Sequence, residues 1–190
     1  FAIVWGAPDA YKQPAVAYNS QDDEYMMVYA QEDDAPYPAD WNIGGARLPA
    51  TGGTPGLTFG FTTDGYSSTV YYDQPAIAYN PTQNVYLLTA RFVNENWYGA
   101  WGSKVDAVGI QGDGSGMLSG VFSIDGFSTS VQPGYSDVAY NAARDEFLIV
   151  WQRKGGSDWN IYGQRVEYDA SGDAMQKVGS LFPIFNSGNN

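Results

Sequence analysis

Three aromatic side chains stand four residues ahead of a glycine: Trp41, Tyr98 and Trp159, before Gly45, Gly102 and Gly163. Trp41 and Trp159 directly follow Asp40 and Asp158. Aromatic faces repeated once per structural unit suit stacking on the C–H face of a sugar, and they equally suit covering the edge of their own sheet. Acids cluster at loop spacing: Asp22-Asp23-Glu24, Glu32-Asp33-Asp34, Asp113-Gly114-Ser115, and Asp169 with Asp173. Such oxygen ligands suit Ca²⁺, but none follows the twelve-residue helix-flanked loop, and a solvated acidic surface explains them as well. Asp9, Glu32, Glu95, Asp106 and Glu167 could in principle supply a carboxylate pair for glycoside hydrolysis, yet no spacing fixes any two of them together. Asp64-Gly65 and Asp125-Gly126 read as turns closing a strand. No catalytic residue is assigned.

Composition removes much other chemistry. Histidine and cysteine are absent, which excludes Ser-His-Asp and Cys-His catalysis, thiol chemistry and disulfides. Twenty-one acids against nine bases give a net charge of −12, a surface that repels phosphate backbones and anionic lipid. Neither nucleic-acid binding nor membrane insertion is expected, because no apolar run approaches the ~20 residues that span a bilayer. No cofactor is expected, with Ca²⁺ left open. The first residue is Phe1 rather than Met, so the expectation is a secreted protein that has lost a leader, or a piece of a longer chain.

The elements that would position these residues come as a repeat. Gln13-Pro14-Ala15-Val16-Ala17-Tyr18-Asn19 returns as Gln74-Pro75-Ala76-Ile77-Ala78-Tyr79-Asn80 and as Asp137-Val138-Ala139-Tyr140-Asn141, with the tyrosines 61 residues apart. One supersecondary unit used three times buries its apolar faces against its own copies. Each copy holds four apolar segments. The second (Tyr25–Tyr29, Tyr86–Ala90, Phe147–Trp151) is apolar throughout, which predicts a strand covered on both faces. The third carries the aromatic, the glycine and a base two residues later (Arg47, Lys104, Arg165) that should pair with an acid on an adjacent strand. The fourth (Leu57–Phe61, Val121–Ile124, Leu181–Ile184) alternates as a half-exposed strand does. Four antiparallel strands per ~61 residues predict an all-β, propeller-like domain over 1–190: an extra strand and linker at 1–12, then repeats at 13–73, 74–135 and 136–190.

The third copy resembles the repeat of secreted bacterial and archaeal surface proteins. In these an apolar strand ending in Trp, as in Phe147-Leu148-Ile149-Val150-Trp151, is followed by I-Y-G-Q-R-V, as in Ile161-Tyr162-Gly163-Gln164-Arg165-Val166, and a Gly turn. The middle copy departs most, with Thr89-Ala90 for Val-Trp and Lys104 for Arg. The resemblance implies propeller-like sheets on the cell exterior and no particular reaction.

Propellers close with about 4 to 8 blades, so three copies leave two bare faces. Two chains could pair, three blades could close tightly, or neighbours could complete an open stack. Phe1-Ala2-Ile3 also matches the fourth-segment pattern, so either Phe1 and Ile3 or Leu181, Phe182 and Ile184 could form a surplus strand donated to another subunit. The expectation is therefore a non-catalytic, extracellular structural protein that assembles with itself into a surface layer, matrix or filament. The alternative is a lectin-like carbohydrate binder using Trp41, Tyr98 and Trp159, calcium-dependent if the acidic loops take Ca²⁺.

Overall fold

Asparagine ends the first segment of each copy because its side chain turns the chain. Asn19 Oδ1 accepts from the Gln21 and Asp22 amides, Asn80 Oδ1 from those of Thr82 and Gln83, and Asn141 Oδ1 from that of Ala143. The turn closes through Asp23, Asn84 and Asp145, all with φ of 53°, a left-handed conformation that Asn and Asp tolerate. Five residues earlier a tyrosine hydroxyl donates to each of these side chains, at 2.7, 2.5 and 2.7 Å. Tyr168 and Asp173 build the same latch at 2.7 Å in a further hairpin.

The computed structural model describes residues 10–32, 41–56, 58–61, 70–94, 97–106, 118–128 and 131–186. All regular structure in them is β. The first sheet is β1 (Tyr11–Asn19), β2 (Glu24–Glu32), β3 (Trp41–Pro49) and β4 (Thr58–Gly60). The second is β5 (Val70–Asn80), β6 (Val85–Asn94), β7 (Trp97–Asp106) and β8 (Leu118–Ser128). The third is β9 (Val131–Asn141), β10 (Glu146–Gly155), β11 (Asp158–Asp169) and β12 (Ala174–Phe185). Each is an antiparallel meander, and the registers Gly45↔Val28, Gly102↔Thr89 and Gly163↔Val150 align the three glycines. The sheets stack first on second and second on third, and they do not close into a ring.

β1 and β5 begin upstream of the Gln-Pro pair that opens the repeat in sequence. Gln13 and Gln74 take φ of 56° and 55° in β-bulges, and the bulge accommodates the following proline, which has no amide to give to the ladder. Gln13 Oε1 then accepts from the Gln74 amide at 2.9 Å, joining the first two sheets at their bulges.

Each sheet presents two different faces. One carries small and aliphatic side chains (Ala15, Ala17, Met26 and Val28 in the first sheet), and it packs on Ile77, Tyr79, Tyr86 and Leu88 of the second. The second sheet's opposite face (Ala76, Ala78, Leu87 and Ile124) packs in turn on Val138, Phe147, Ile149 and Trp151 of the third. The continuously apolar second segment is covered on both faces in β6, as its composition predicts, and in β2 from Met26 to Tyr29, with Tyr25 exposed. In β10 burial alternates: Phe147, Ile149 and Trp151 are buried, whereas Leu148 is exposed because no described sheet lies over that face. Leu181, Phe182 and Ile184 belong to β12, which pairs with β11 as the edge of its own sheet. Phe1 and Ile3 lie outside the described residues.

Candidate functional site

The hairpin turns of all three sheets lie at one end of the stack, tied together across sheets: Asn80 Nδ2 donates to Asp145 at 2.8 Å, and Asn19 Nδ2 to Asn84 at 3.4 Å. The ends of β2, β6 and β10 and the starts of β3, β7 and β11 therefore gather at the opposite end, which places Trp41 and Trp159 there. Charged side chains converge there in an otherwise acidic protein.

At the junction of the first two sheets, Arg91 on β6 makes a two-pronged contact with Asp73 directly across on β5, Nε to Oδ1 at 2.7 Å and Nη2 to Oδ2 at 2.6 Å. Lys12, one residue before the first bulge, holds its Nζ 3.3 Å from the centroid of the Trp41 ring. Burial lowers the Lys12 pKa, and Arg91 lowers it further; Asp73 and Glu32 oppose them. Trp41 is partly buried with its ring capped by an ammonium, so it offers a sugar no open face on that side.

At the next junction Asp125 of β8 is buried against the third sheet. It accepts from Trp151 Nε1 at 3.0 Å, and Arg153 Nε lies 2.8 Å from the same oxygen, off the line of its N–H, so that contact is ionic. Asp125 and Gly126 thus lie inside a strand rather than in the turn expected from their sequence. The pairing of β8 with β7 continues past them to Ser128, which keeps the backbone extended. Trp151 stacks on Tyr162, with ring centroids 6.2 Å apart, and Arg153 sits over Tyr162 at 5.1 Å.

Trp159 lies at the rim of this junction. It rests on Gly134, where a Cβ would stand 3.2 Å from the ring, and remains 47% exposed. Lys154, directly opposite in register, holds its ammonium 5.9 Å from the ring centroid. An open indole beside a cation can take an apolar sugar face while the ammonium bonds a hydroxyl. Tyr98 occupies the matching position on β7, but its side chain lies outside the described residues. The three aromatics thus share a register position, and Trp41 and Trp159 differ in surroundings.

The acids do not assemble into a centre. Among the described residues no group of three or more candidate ligands could hold a metal ion. Asp22 accepts from Asn19, Asp23 from Tyr18, and Asp169 from the amide and hydroxyl of Ser171, which hold its carboxyl below the ordinary carboxylate range. Glu24 pairs with Arg47 at 3.1 Å and Glu146 with Arg165 at 3.4 Å, the adjacent-strand pairs expected of those bases. The side chain of Lys104 lies outside the described residues. Glu32 and Glu167 fall at opposite ends of the stack, while Asp9, Asp33, Asp34, Asp64, Glu95 and Asp113 are not among the described residues. Sequence reasoning missed Lys12 and Asp73, and it read Asp125 as a turn residue. Their only signal is an acid or base beside a strand, which acquires a partner in another strand or sheet.

No family model matches the chain, and no curated protein matches it in sequence. Solved structures do match in fold. One is an N-acetylgalactosamine deacetylase from F. plautii in complex with blood group B trisaccharide: 13% identity, TM-score 0.58, covering 97% of this chain and 56% of that one. Another is a Hadza microbial sialidase: 13% identity, TM-score 0.60, covering 92% of this chain and 37% of that one. The chain thus spans about half or less of each neighbour's length. These findings overturn the expectation of a non-catalytic, self-assembling structural protein. That expectation rested on an incomplete ring and on missing catalytic residue types, and this sheet stack also occurs in two carbohydrate-acting proteins.

Proposed function

We propose that this chain is a carbohydrate-binding unit, with three blade-like sheets of a propeller-type arrangement and a sugar contact centred on Trp159. The observation that carries this reading is the 47% exposed indole at the β10–β11 end, seated on Gly134 with Lys154 directly across from it. A tryptophan that serves only as cover buries more of its ring. The fold neighbours support the ligand class, since both are named for acting on carbohydrate. Lys154 would orient the ligand by bonding its hydroxyls, and the indole would supply most of the affinity.

Titration of the intrinsic tryptophan fluorescence with a panel of neutral, amino and acidic sugars tests this. Saturable quenching is expected from at least one class. Trp159→Ala should weaken it by about 2 kcal/mol, roughly thirtyfold. Trp41→Ala should leave it unchanged, because Lys12 already occupies that ring. Equal binding by wild type and Trp159→Ala would remove the proposed site.

A further inference from the structure

Acids outnumber bases by twenty-one to nine, and each of the five arginines faces a carboxylate within 4.0 Å. Lys12 is drawn by Asp73 and Glu32, and Lys177 reaches the Ile124 carbonyl at 3.4 Å. Lys154 differs. Among the described residues no carboxylate lies within ion-pair distance of its ammonium, and its neighbour is the open ring of Trp159.

The strands keep acids away from that ammonium. Lys154 alternates with Arg153 along β10, so the sheet itself separates it from Asp125. Asp158 alternates likewise with Trp159 along β11, and it accepts from the Ser157 hydroxyl at 3.2 Å. The next acid on the face of Lys154 is Asp137, across from Val150. Four residues along the strand, at ~3.3 Å each, put it roughly 13 Å away. That exceeds the Debye length of about 10 Å at 0.1 M salt, so the charge of Lys154 stands locally uncancelled. The cation also leaves its ring free: Lys12 sits 3.3 Å from the Trp41 centroid, whereas Lys154 stands 5.9 Å from that of Trp159.

We propose that the Trp159 site selects an anionic sugar, whose C–H face lies on the indole while Lys154 pairs with its carboxylate or sulfate ester. A lysine ammonium is a compact point charge and takes either anion. The net charge of −12 opposes a polyanion, so the charged sugar is isolated or terminal in its glycan. This inference rests on the carbohydrate reading of Trp159 and adds the charge of the sugar.

Calorimetric titration with methyl glycosides of the gluco, galacto and manno series tests it, each as the hexoside, its 6-sulfate and the hexuronide. Within a series these differ only at C6. Wild type should bind at least one anion about fivefold more tightly than the matched hexoside, and less so in 1 M salt. Lys154→Gln should bind all members of that series alike, and Lys154→Arg should keep the preference. Both should melt as wild type does, because Lys154 makes no ion pair with a described residue. Trp159→Ala should weaken charged and neutral members together. Equal binding within every series, or a preference that survives in Lys154→Gln, would overturn the proposal and leave the carbohydrate reading standing. Failure to bind any of these sugars would remove both.

Discussion

Removing Asp125 should loosen the third sheet from the second. Its carboxylate is buried, accepts from Trp151 at 3.0 Å and faces Arg153 at 2.8 Å, and both partners belong to the other sheet. A hydrogen bond to a charged acceptor is worth about 1.5–3 kcal/mol. The ion pair adds roughly 1 kcal/mol, because the Arg153 side chain is 30% exposed and partly screened. Asp125→Ala should therefore cost about 3 kcal/mol, a fall in melting temperature of roughly 6–12 °C for a chain of this size. Asp125→Asn keeps an oxygen for the indole and loses the charge, so about half that cost is expected. Urea denaturation followed by near-ultraviolet circular dichroism measures both, since Trp151 and Tyr162 report the packing of that junction. If Asp125→Asn proves as costly as Asp125→Ala, the indole bond is not the dominant interaction. A loss below about 1 kcal/mol for Asp125→Ala would refute the reasoning.

Asn80 is buried and makes three bonds, to Asp145 and from the Thr82 and Gln83 amides. Asn80→Ala should cost about 2–3 kcal/mol by chemical denaturation. Asn80→Asp preserves the turn but sets a carboxylate against Asp145, raising the pKa of the pair. Its deficit should be full at neutral pH, shrink as pH falls through the raised pKa of the pair, and be gone by about pH 4. A Cβ at Gly44 would stand 2.6 Å from the Tyr29 ring, which is buried, so Gly44→Ala should cost about 2–3 kcal/mol. Gly163→Ala meets Phe182 at 2.8 Å, but that ring sits exposed on an edge strand and can move, so less than about 1 kcal/mol is expected. Burial pushes the Tyr29 hydroxyl up to about 12, so the folded chain holds that proton after the unfolded chain has lost it. The stability this supplies is complete below about pH 10 and disappears as pH rises towards 12, roughly 2–3 kcal/mol, and Tyr29→Phe should lack that part of the alkaline loss.

Much of the fold is legible in the residues. The recurring Tyr-Asn phrase marks a latched hairpin because Tyr18, Tyr79 and Tyr140 each reach a side chain five residues on, a contact local enough for spacing to encode. Alignment on Gly45, Gly102 and Gly163 gives the strand register, since antiparallel neighbours joined by short turns have little freedom to slip. The candidate site was only partly visible. Trp41 and Trp159 are indistinguishable in sequence, yet one ring is capped by Lys12 from another strand and the other stands open. Asp125-Gly126 has turn chemistry and became strand, because Trp151 and Arg153 approach from a different sheet.

Local patterning determined the strands, the turns and the three-fold repetition, since these depend on contacts between near neighbours along the chain. Only the tertiary structure decided which copy of each repeated residue is covered and which is bare. Leu148 and Leu87 carry the same pattern around them, and burial is set by the sheet that lies across the face, a neighbour about sixty residues away that no local signal describes.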